Sequence, residues 1–164
     1  MCCSASAGAP APRFPEWSDV VDLDYSHREL WDYQIETLEQ WVRFGVDGFR
    51  CDVASLVPVP FWVEARKRIA AIRQCIWLAE SVHKEFVAQM RSRGFYAACD
   101  AELHEAFDIS YDYDARTELE AAWAGTGQLA AYLHHLTLQN CMLPETAIKA
   151  RFLENHDQIR AAHH

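Results

Sequence analysis

The stretch that decides the fold is Gly48-Phe49-Arg50-Cys51-Asp52-Val53-Ala54, a short apolar run that carries one arginine and one aspartate. It lies between a predicted helix and a proline-rich turn. Alternate side chains of a strand share a face, so Arg50 and Asp52 are expected on the same side. A guanidinium beside a carboxylate keeps it ionised and fixes its orientation, as a carboxylate nucleophile requires. A buried ion pair or a helix-capping aspartate explains this stretch equally well.

Length and composition indicate one globular domain. The chain has 164 residues, of which 51% are hydrophobic, enough for a sizeable core. Its formal net charge is −9, and no cluster of lysines and arginines is interleaved with aromatic residues, which argues against a nucleic-acid groove. A neutral or polar small-molecule substrate suits this charge better.

The sequence lacks the patterns of a zinc site, a secretory signal and a membrane span. Six cysteines form no CxxC pair and no paired Cys/His spacing, so they are expected to be reduced and mostly buried. No run approaches the ~18 apolar residues of a membrane span, and the N-terminus lacks a basic and an apolar region. We therefore expect a cytoplasmic chain with no membrane partner. Residues 1–15 are predicted to be a disordered tail or a boundary artefact, which leaves 16–164 as the domain.

Apolar stripes with helical spacing alternate with short continuous apolar runs. The predicted helices carry the stripes Trp31-Ile35-Leu38-Val42, Phe61-Ala65-Ile69-Ile72, Val82-Phe86-Met90 and Leu129-Leu133-Leu136. Their ends are predicted from a capping-box pattern at 26–29, Gly45, the prolines Pro58 and Pro60, Ser81 and Gly94. Strands are predicted at 46–54, 75–80, 107–113 and 151–155.

This alternation, with no hairpin pattern, predicts a parallel sheet with right-handed crossovers. The carboxyl ends of such strands share one edge, where these folds place their chemistry. Polar residues stand at those ends: Asp52, Glu80, Asp112 or Asp114, and His156-Asp157. The interval from Asp52 to Glu80 fits one crossover unit, so these carboxylates are expected to be neighbours. Three carboxylates that converge from separate strands form a more specific pattern than any one of them.

Four segments carry a resemblance to a known family: 17–25, 48–54, Leu78-Ala79-Glu80-Ser81 and Phe152-Leu153-Glu154-Asn155-His156-Asp157. With them the chain resembles the α-amylase family of glycoside hydrolases. The resemblance implies that Asp52 is the nucleophile, that Glu80 is the general acid/base and that Asp157 stabilises the transition state. It also implies that Arg50 positions Asp52 and that His156 contacts the same sugar.

The resemblance implies an α/β fold, a partial (β/α)8 TIM barrel of about strands 4 to 7 with flanking helices. The family's first short region, an Asp followed four residues later by Asn-His, has no counterpart in this sequence. Four strands of eight leave two unpaired edges, so these residues alone are expected to be neither a stable monomer nor active. Formation of a homodimer is the main alternative.

The chemistry can also be argued without the family. Two carboxyl groups cleave a glycosidic bond, and retaining enzymes need them ~5–5.5 Å apart, which neighbouring strand ends allow. Arg50 would keep Asp52 charged, whereas the apolar residues before Glu80 favour its neutral, acid form. Tyr111 or Tyr113 could stack on a sugar face. The expected substrate is an α-glucan or α-glucoside; its linkage, and hydrolysis against transglycosylation, stay open.

Several of these groups have simpler explanations. Glu80 alone could cap the next helix or pair with Lys84. The acidic run at 108–114 lacks the glycine and glutamate of a calcium loop, so no cofactor is predicted and calcium ligands of a complete enzyme are not identifiable. The histidine pairs at 134–135 and 163–164 are more typical of a surface than of a metal site. A non-catalytic relative that binds carbohydrate or acts as a scaffold is the second functional hypothesis.

Overall fold

Four short parallel strands form one sheet in the computed structural model, which describes residues 22–161. The strands are β1 (Gly48–Cys51), β2 (Ile76–Ala79), β3 (Ile109–Tyr111) and β4 (Ile148–Ala150), in the order β1-β2-β3-β4. Within residues 22–161 the helices are α1 (Arg28–Phe44), α2 (Val59–Ala70), α3 (Lys84–Ser92), α4 (Asp100–Leu103), α5 (Tyr113–Trp123) and α6 (Leu129–Met142), with a 3-10 turn at Ala54–Leu56. This arrangement is a partial TIM barrel. The predicted tail at 1–15 lies outside the described residues.

The strand register places the carboxyl ends of the strands at one edge of the sheet. Cys51 lies opposite Ala79, and Ala79 lies opposite Ser110. The residues that follow these three, Asp52, Glu80 and Tyr111, therefore stand side by side. The parallel sheet and the edge shared by Asp52 and Glu80 are confirmed.

An aromatic core packs between the sheet and the helices α1 and α2. Trp77 of β2 is 1% exposed and lies 6.2 Å, ring centroid to ring centroid, from Phe107. Trp62 of α2 lies 5.3 Å from the same Phe107 ring and 4.9 Å from Phe61. Burial of each such side chain stabilises the fold by roughly 1.5–3 kcal/mol. This core fixes β1 and β2, and with them the positions at which Asp52 and Glu80 emerge.

The predicted helix boundaries hold at some ends and fail at others. Helix α1 ends at Gly45, whose φ of 114° is left-handed, as expected for a glycine at this position. A helix does begin in the segment 26–29, at Arg28, but the predicted capping box is wrong: His27 is the N-cap and its side chain makes no capping bond. Ser81 caps no helix either, since its hydroxyl donates to the carbonyl of Tyr111 at 2.8 Å. Ile72 lies beyond α2 and is exposed.

The fourth strand was predicted at 151–155, but β4 spans Ile148–Ala150. Lys149 in its centre has a side chain only 4% exposed, because its ammonium bonds the Asp100 carboxylate, the Ser110 hydroxyl and the carbonyl of Tyr111. Because the central residue of β4 is a lysine, the strand does not show the continuous apolar run by which a buried strand is predicted. Residues 151–155 leave the sheet to form a loop that leads to Asp157.

Two further expectations concern cysteines and the membrane. The four described cysteines are free. Cys51 is the one among them that is buried, and Cys141 is exposed, so the prediction that the cysteines are mostly buried is wrong for residues 22–161. Between residues 22 and 161, the helices are all too short or too polar to cross a membrane.

Candidate active site

One arginine holds the two carboxylates at the ends of β1 and β2. Nη1 of Arg50 bonds the carboxylate of Asp52, and Nη2 lies 2.7 Å from Oε1 of Glu80. Burial lowers the pKa of Arg50, but contacts with Tyr111 and Asp52 and the charge of Glu80 raise it more, so its pKa lies above its ordinary value. The guanidinium is therefore a permanent positive charge between both carboxylates. The face shared by Arg50 and Asp52 is confirmed.

Glu80 and Asp52 occupy different environments. The side chain of Glu80 is 11% exposed, and its Oε2 accepts the backbone N–H of Val53 at 2.8 Å. The backbone of Glu80 also binds this segment, donating to the carbonyl of Cys51 and accepting from the N–H of Ala54, both at 3.0 Å. The side chain of Asp52, by contrast, is 77% exposed. The site thus offers one enclosed carboxyl group and one open to a ligand.

The backbone after Asp52 is strained. Val53 has φ 39° and ψ 45°, a left-handed conformation that β-branched residues rarely adopt. Such a residue costs on the order of 1–3 kcal/mol and persists only where its surroundings hold it. The bond from its N–H to Glu80 is such a constraint. Nothing in the sequence predicted it, because valine is the residue type least expected there.

Asp157 and His156 lie in the loop after β4. Nε2 of His156 lies 3.0 Å from Oδ2 of Asp157, and both side chains are exposed. Asn155 joins this loop to the sheet edge: its Oδ1 accepts the backbone N–H of Asp157 at 2.9 Å, and its Nδ2 donates to the hydroxyl of Tyr113 at 3.0 Å. Burial raises the pKa of Tyr113, and the charges of Glu80 and Asp157 raise it further, whereas Asn155 lowers it. Asp157 and Glu80 are therefore both in electrostatic range of one phenol.

Three aromatic rings line the same end of the sheet. The ring of Tyr111 lies 5.8 Å from that of Tyr113 and 5.6 Å from that of Phe152, and the Arg50 guanidinium lies 5.7 Å from the Tyr111 ring centre. The structure thus brings Tyr111 next to Arg50, beside the residues predicted to carry the chemistry.

Arg116 of α5 supports the Asp157 loop, and sequence reasoning missed it. Its side chain is 5% exposed, and Nη1 donates to the carbonyl of Leu153 at 2.7 Å, while its guanidinium carbon lies 5.0 Å from the Phe152 ring centre. An arginine between apolar helix positions was the available signal. Its Nη2 also lies 2.6 Å from Oε1 of Glu120 on the same helix. The loop carbonyls that it binds lie more than thirty residues away, so only the fold shows that contact.

The acidic residues of the run at 108–114 face separate partners. Asp108 bonds Arg66 and accepts the backbone N–H of Trp77 at 2.9 Å. Asp112 accepts from Gln139 at 2.6 Å and lies 3.1 Å from Nε of Arg151. Asp112 or Asp114 was expected at the carboxyl end of the third strand; Asp112 does directly follow β3, but these partners bury it.

The sequence and structure match those of known proteins. The family model described as Alpha amylase, catalytic domain, matches residues 16–163. A maltogenic alpha-amylase of Bacillus acidopullulyticus is 25% identical over 158 residues, which cover 92% of this chain and 25% of that protein. A cyclomaltodextrinase of Geobacillus thermopakistaniensis (strain MAS1) is 26% identical over 101 residues, covering 59% of this chain and 17% of that protein.

Two solved structures share the fold at higher identity. An alpha-amylase from Lactobacillus plantarum has a TM-score of 0.91 and 46% identity, and the match covers 95% of this chain and 37% of that one. The maltogenic alpha-amylase AmyB from Thermotoga neapolitana has a TM-score of 0.80 and 41% identity, with 98% and 34% covered. The chain spans about a quarter or less of these two curated relatives and about a third of the two solved structures. The chain belongs to the alpha-amylase family of glycoside hydrolases and matches part of its catalytic domain.

Proposed function

We propose that this chain supplies the catalytic carboxylates of a retaining α-glycoside hydrolase or transglycosidase, with Asp52 as nucleophile and Glu80 as general acid/base. The observation that carries the proposal is the pair of bonds from Arg50 to both carboxylates at the ends of adjacent strands. Retaining enzymes need two carboxyl groups close together, and one guanidinium that contacts both keeps them close. A carbohydrate-binding or scaffold role does not require two carboxylates to be held this close together.

The exposure of the two carboxylates matches their proposed roles. The open Asp52 can reach an anomeric carbon, and its oxygen lone pair forms a bond to that carbon while the bond to the leaving oxygen breaks. The enclosed Glu80, in its protonated form, donates a proton to the leaving oxygen. In the second step the Glu80 carboxylate takes a proton from water, or from a sugar hydroxyl, whose oxygen attacks the same carbon and releases Asp52.

The other predicted residues would bind the sugar. Asp157 and His156, next to each other in the loop after β4, would hold sugar hydroxyls, and Asp157 would oppose the positive charge of the transition state. Tyr111 offers a ring on which a sugar could stack. Arg50 keeps Asp52 oriented and ionised.

The proposed substrate is an α-glucan or α-glucoside, since the matched relatives are named as maltogenic amylases and a cyclomaltodextrinase. We also propose that the protein acts in the cytoplasm, because an intracellular maltogenic amylase of Bacillus subtilis is 24% identical over 149 residues.

The stereochemistry of the product tests the mechanism. The assay needs a protein with a complete barrel, which we call the whole-barrel protein. It is either a longer chain that contains residues 22–161 within a complete barrel, or the Lactobacillus plantarum enzyme with its matched segment replaced by residues 22–161. Proton NMR during maltooligosaccharide cleavage should show the α-anomer first, and Asp52→Asn should abolish turnover while Asp47→Asn does not. An initial β-anomer would contradict retention. No turnover by a folded protein that binds maltooligosaccharide would favour the non-catalytic hypothesis.

A further inference from the structure

Three possible metal ligands converge outside the proposed catalytic carboxylates. They are His83, just before α3, Glu85 in the first turn of α3, and Asp114 in the first turn of α5. One ligand atom from each lies within 4.8 Å of the other two. Within residues 22–161, these three side chains are close enough together to hold one metal ion.

Two of the three ligands are held in place by contacts of their own. Oδ1 of Asp114 accepts the backbone N–H of Lys84 at 2.8 Å, which ties α5 to the segment between His83 and Glu85. The His83 ring lies 5.0 Å, centroid to centroid, from the ring of Tyr113. The two segments that would share an ion are therefore joined without one.

The ligand types select the class of ion. One imidazole nitrogen and two carboxylate oxygens are a set that zinc accepts, with a water as the fourth ligand. Calcium and magnesium prefer oxygen ligands alone, so the histidine disfavours them. Nζ of Lys84 lies 4.0 Å from Oε1 of Glu85, but an exposed pair at this distance contributes little, and a divalent ion could displace it.

We propose that His83, Glu85 and Asp114 bind a zinc ion that joins the segment after β2 to the start of α5. The sequence hides this site because Asp114 lies about thirty residues from the other two ligands and no metal-binding spacing results. The segment it would fix begins at Glu80. This inference does not depend on the catalytic roles proposed above.

Zinc binding by the purified whole-barrel protein tests the site. Exposed thiols such as Cys141 are first alkylated under native conditions, so that cysteines do not compete for the metal. Isothermal titration with zinc chloride should show one binding event that His83→Ala weakens at least about tenfold and that Asp114→Asn also weakens. The matched control is His27→Ala, because His27 is exposed and has a carboxylate, Asp24, 3.7 Å away.

The outcomes separate clearly. Binding that is lost with His83→Ala and Asp114→Asn but kept with His27→Ala supports the site, provided that circular dichroism shows folded variants. Equal binding by wild type and His83→Ala, or no binding by the wild type, overturns it. A titration with calcium chloride should show at least about tenfold weaker binding, and calcium binding as tight as that of zinc would also contradict the proposal.

Discussion

Nη2 of Arg50 lies 2.7 Å from Oε1 of Glu80, so the arginine that precedes Asp52 in β1 also holds the carboxylate at the end of β2. The two groups proposed to carry the reaction therefore share one cation. A displaced guanidinium would disturb both at once. Small errors in such geometry can cost on the order of 10²-fold in rate.

Replacing Arg50 by lysine should reduce kcat of the whole-barrel protein about 10²-fold. Lysine keeps the charge but cannot contact two carboxylates with separate, fixed nitrogens. Steady-state kinetics on maltooligosaccharides measure the effect. The control is Arg43→Lys, because Arg43 is exposed and pairs with Glu39 at 3.1 Å; it should change kcat less than about twofold. Similar rates for Arg50→Lys and wild type would show that the shared guanidinium is dispensable.

Glu80→Gln should spare substrates with very good leaving groups far more than natural glucans. A good leaving group departs without a proton, whereas a sugar hydroxyl needs the proton that Glu80 donates. The single amide oxygen of glutamine can still accept the N–H of Val53, while its NH2 replaces the oxygen that contacts Arg50. Comparison of kcat/KM for an activated aryl α-glucoside and maltotriose measures this, with the exposed Glu105→Gln as control. Equal losses on both substrates would argue against an acid/base role.

Arg116→Lys should loosen the loop that carries Asp157. Lysine cannot stack on Phe152 and bond the carbonyl of Leu153 with the same geometry. Hydrogen exchange followed by mass spectrometry should show faster exchange across 152–157 and unchanged exchange in β2. Arg73→Lys, at an exposed pair with Asp47, is the matched control. An unchanged loop would mean that Arg116 does not position it.

The Asp108 carboxylate should make the free energy of unfolding depend on pH in the acid range. Burial raises the pKa of its carboxyl, but the bonds from Arg66 and from the backbone of Trp77 lower it more, so its folded pKa lies below the ordinary value. Its stabilisation is therefore present above the unfolded pKa of about 3.9 and is lost as pH falls through the folded pKa. Because the group is partly exposed, Asp108→Asn should cost only about 1 kcal/mol at pH 7.

Urea unfolding of wild type and Asp108→Asn at pH 7 and pH 3 measures this difference. It should be largest at pH 7 and should shrink as the pH falls below the unfolded pKa of about 3.9 towards the lower folded pKa. A difference that grows as the pH falls would show that the sign of the shift is wrong.

The sequence predicted those helices and strands in which apolar side chains recur at a regular spacing. Alternation along β1 placed Arg50 and Asp52 on one face, and the spacing of apolar runs placed Asp52 and Glu80 on adjacent strands. Tertiary contacts decided the rest. Lys149 is buried because Asp100 and Ser110 satisfy its ammonium, and these partners come from distant segments.

The same reason explains what was missed at the site. Val53 has a left-handed conformation, and the N–H of this residue is bound by Glu80, which follows a different strand. Arg116 holds a loop far along the chain, and His83 meets Asp114 only because α3 and α5 begin close together. Local sequence patterns do not identify the distant partners of these residues.

A covalent trap tests the central claim most directly. A fluorinated α-glycosyl substrate, given to the whole-barrel protein, should leave a glycosyl ester on the nucleophile, which peptide mass spectrometry locates. The label is expected on Asp52. A label on Glu80 or Asp157 would contradict it.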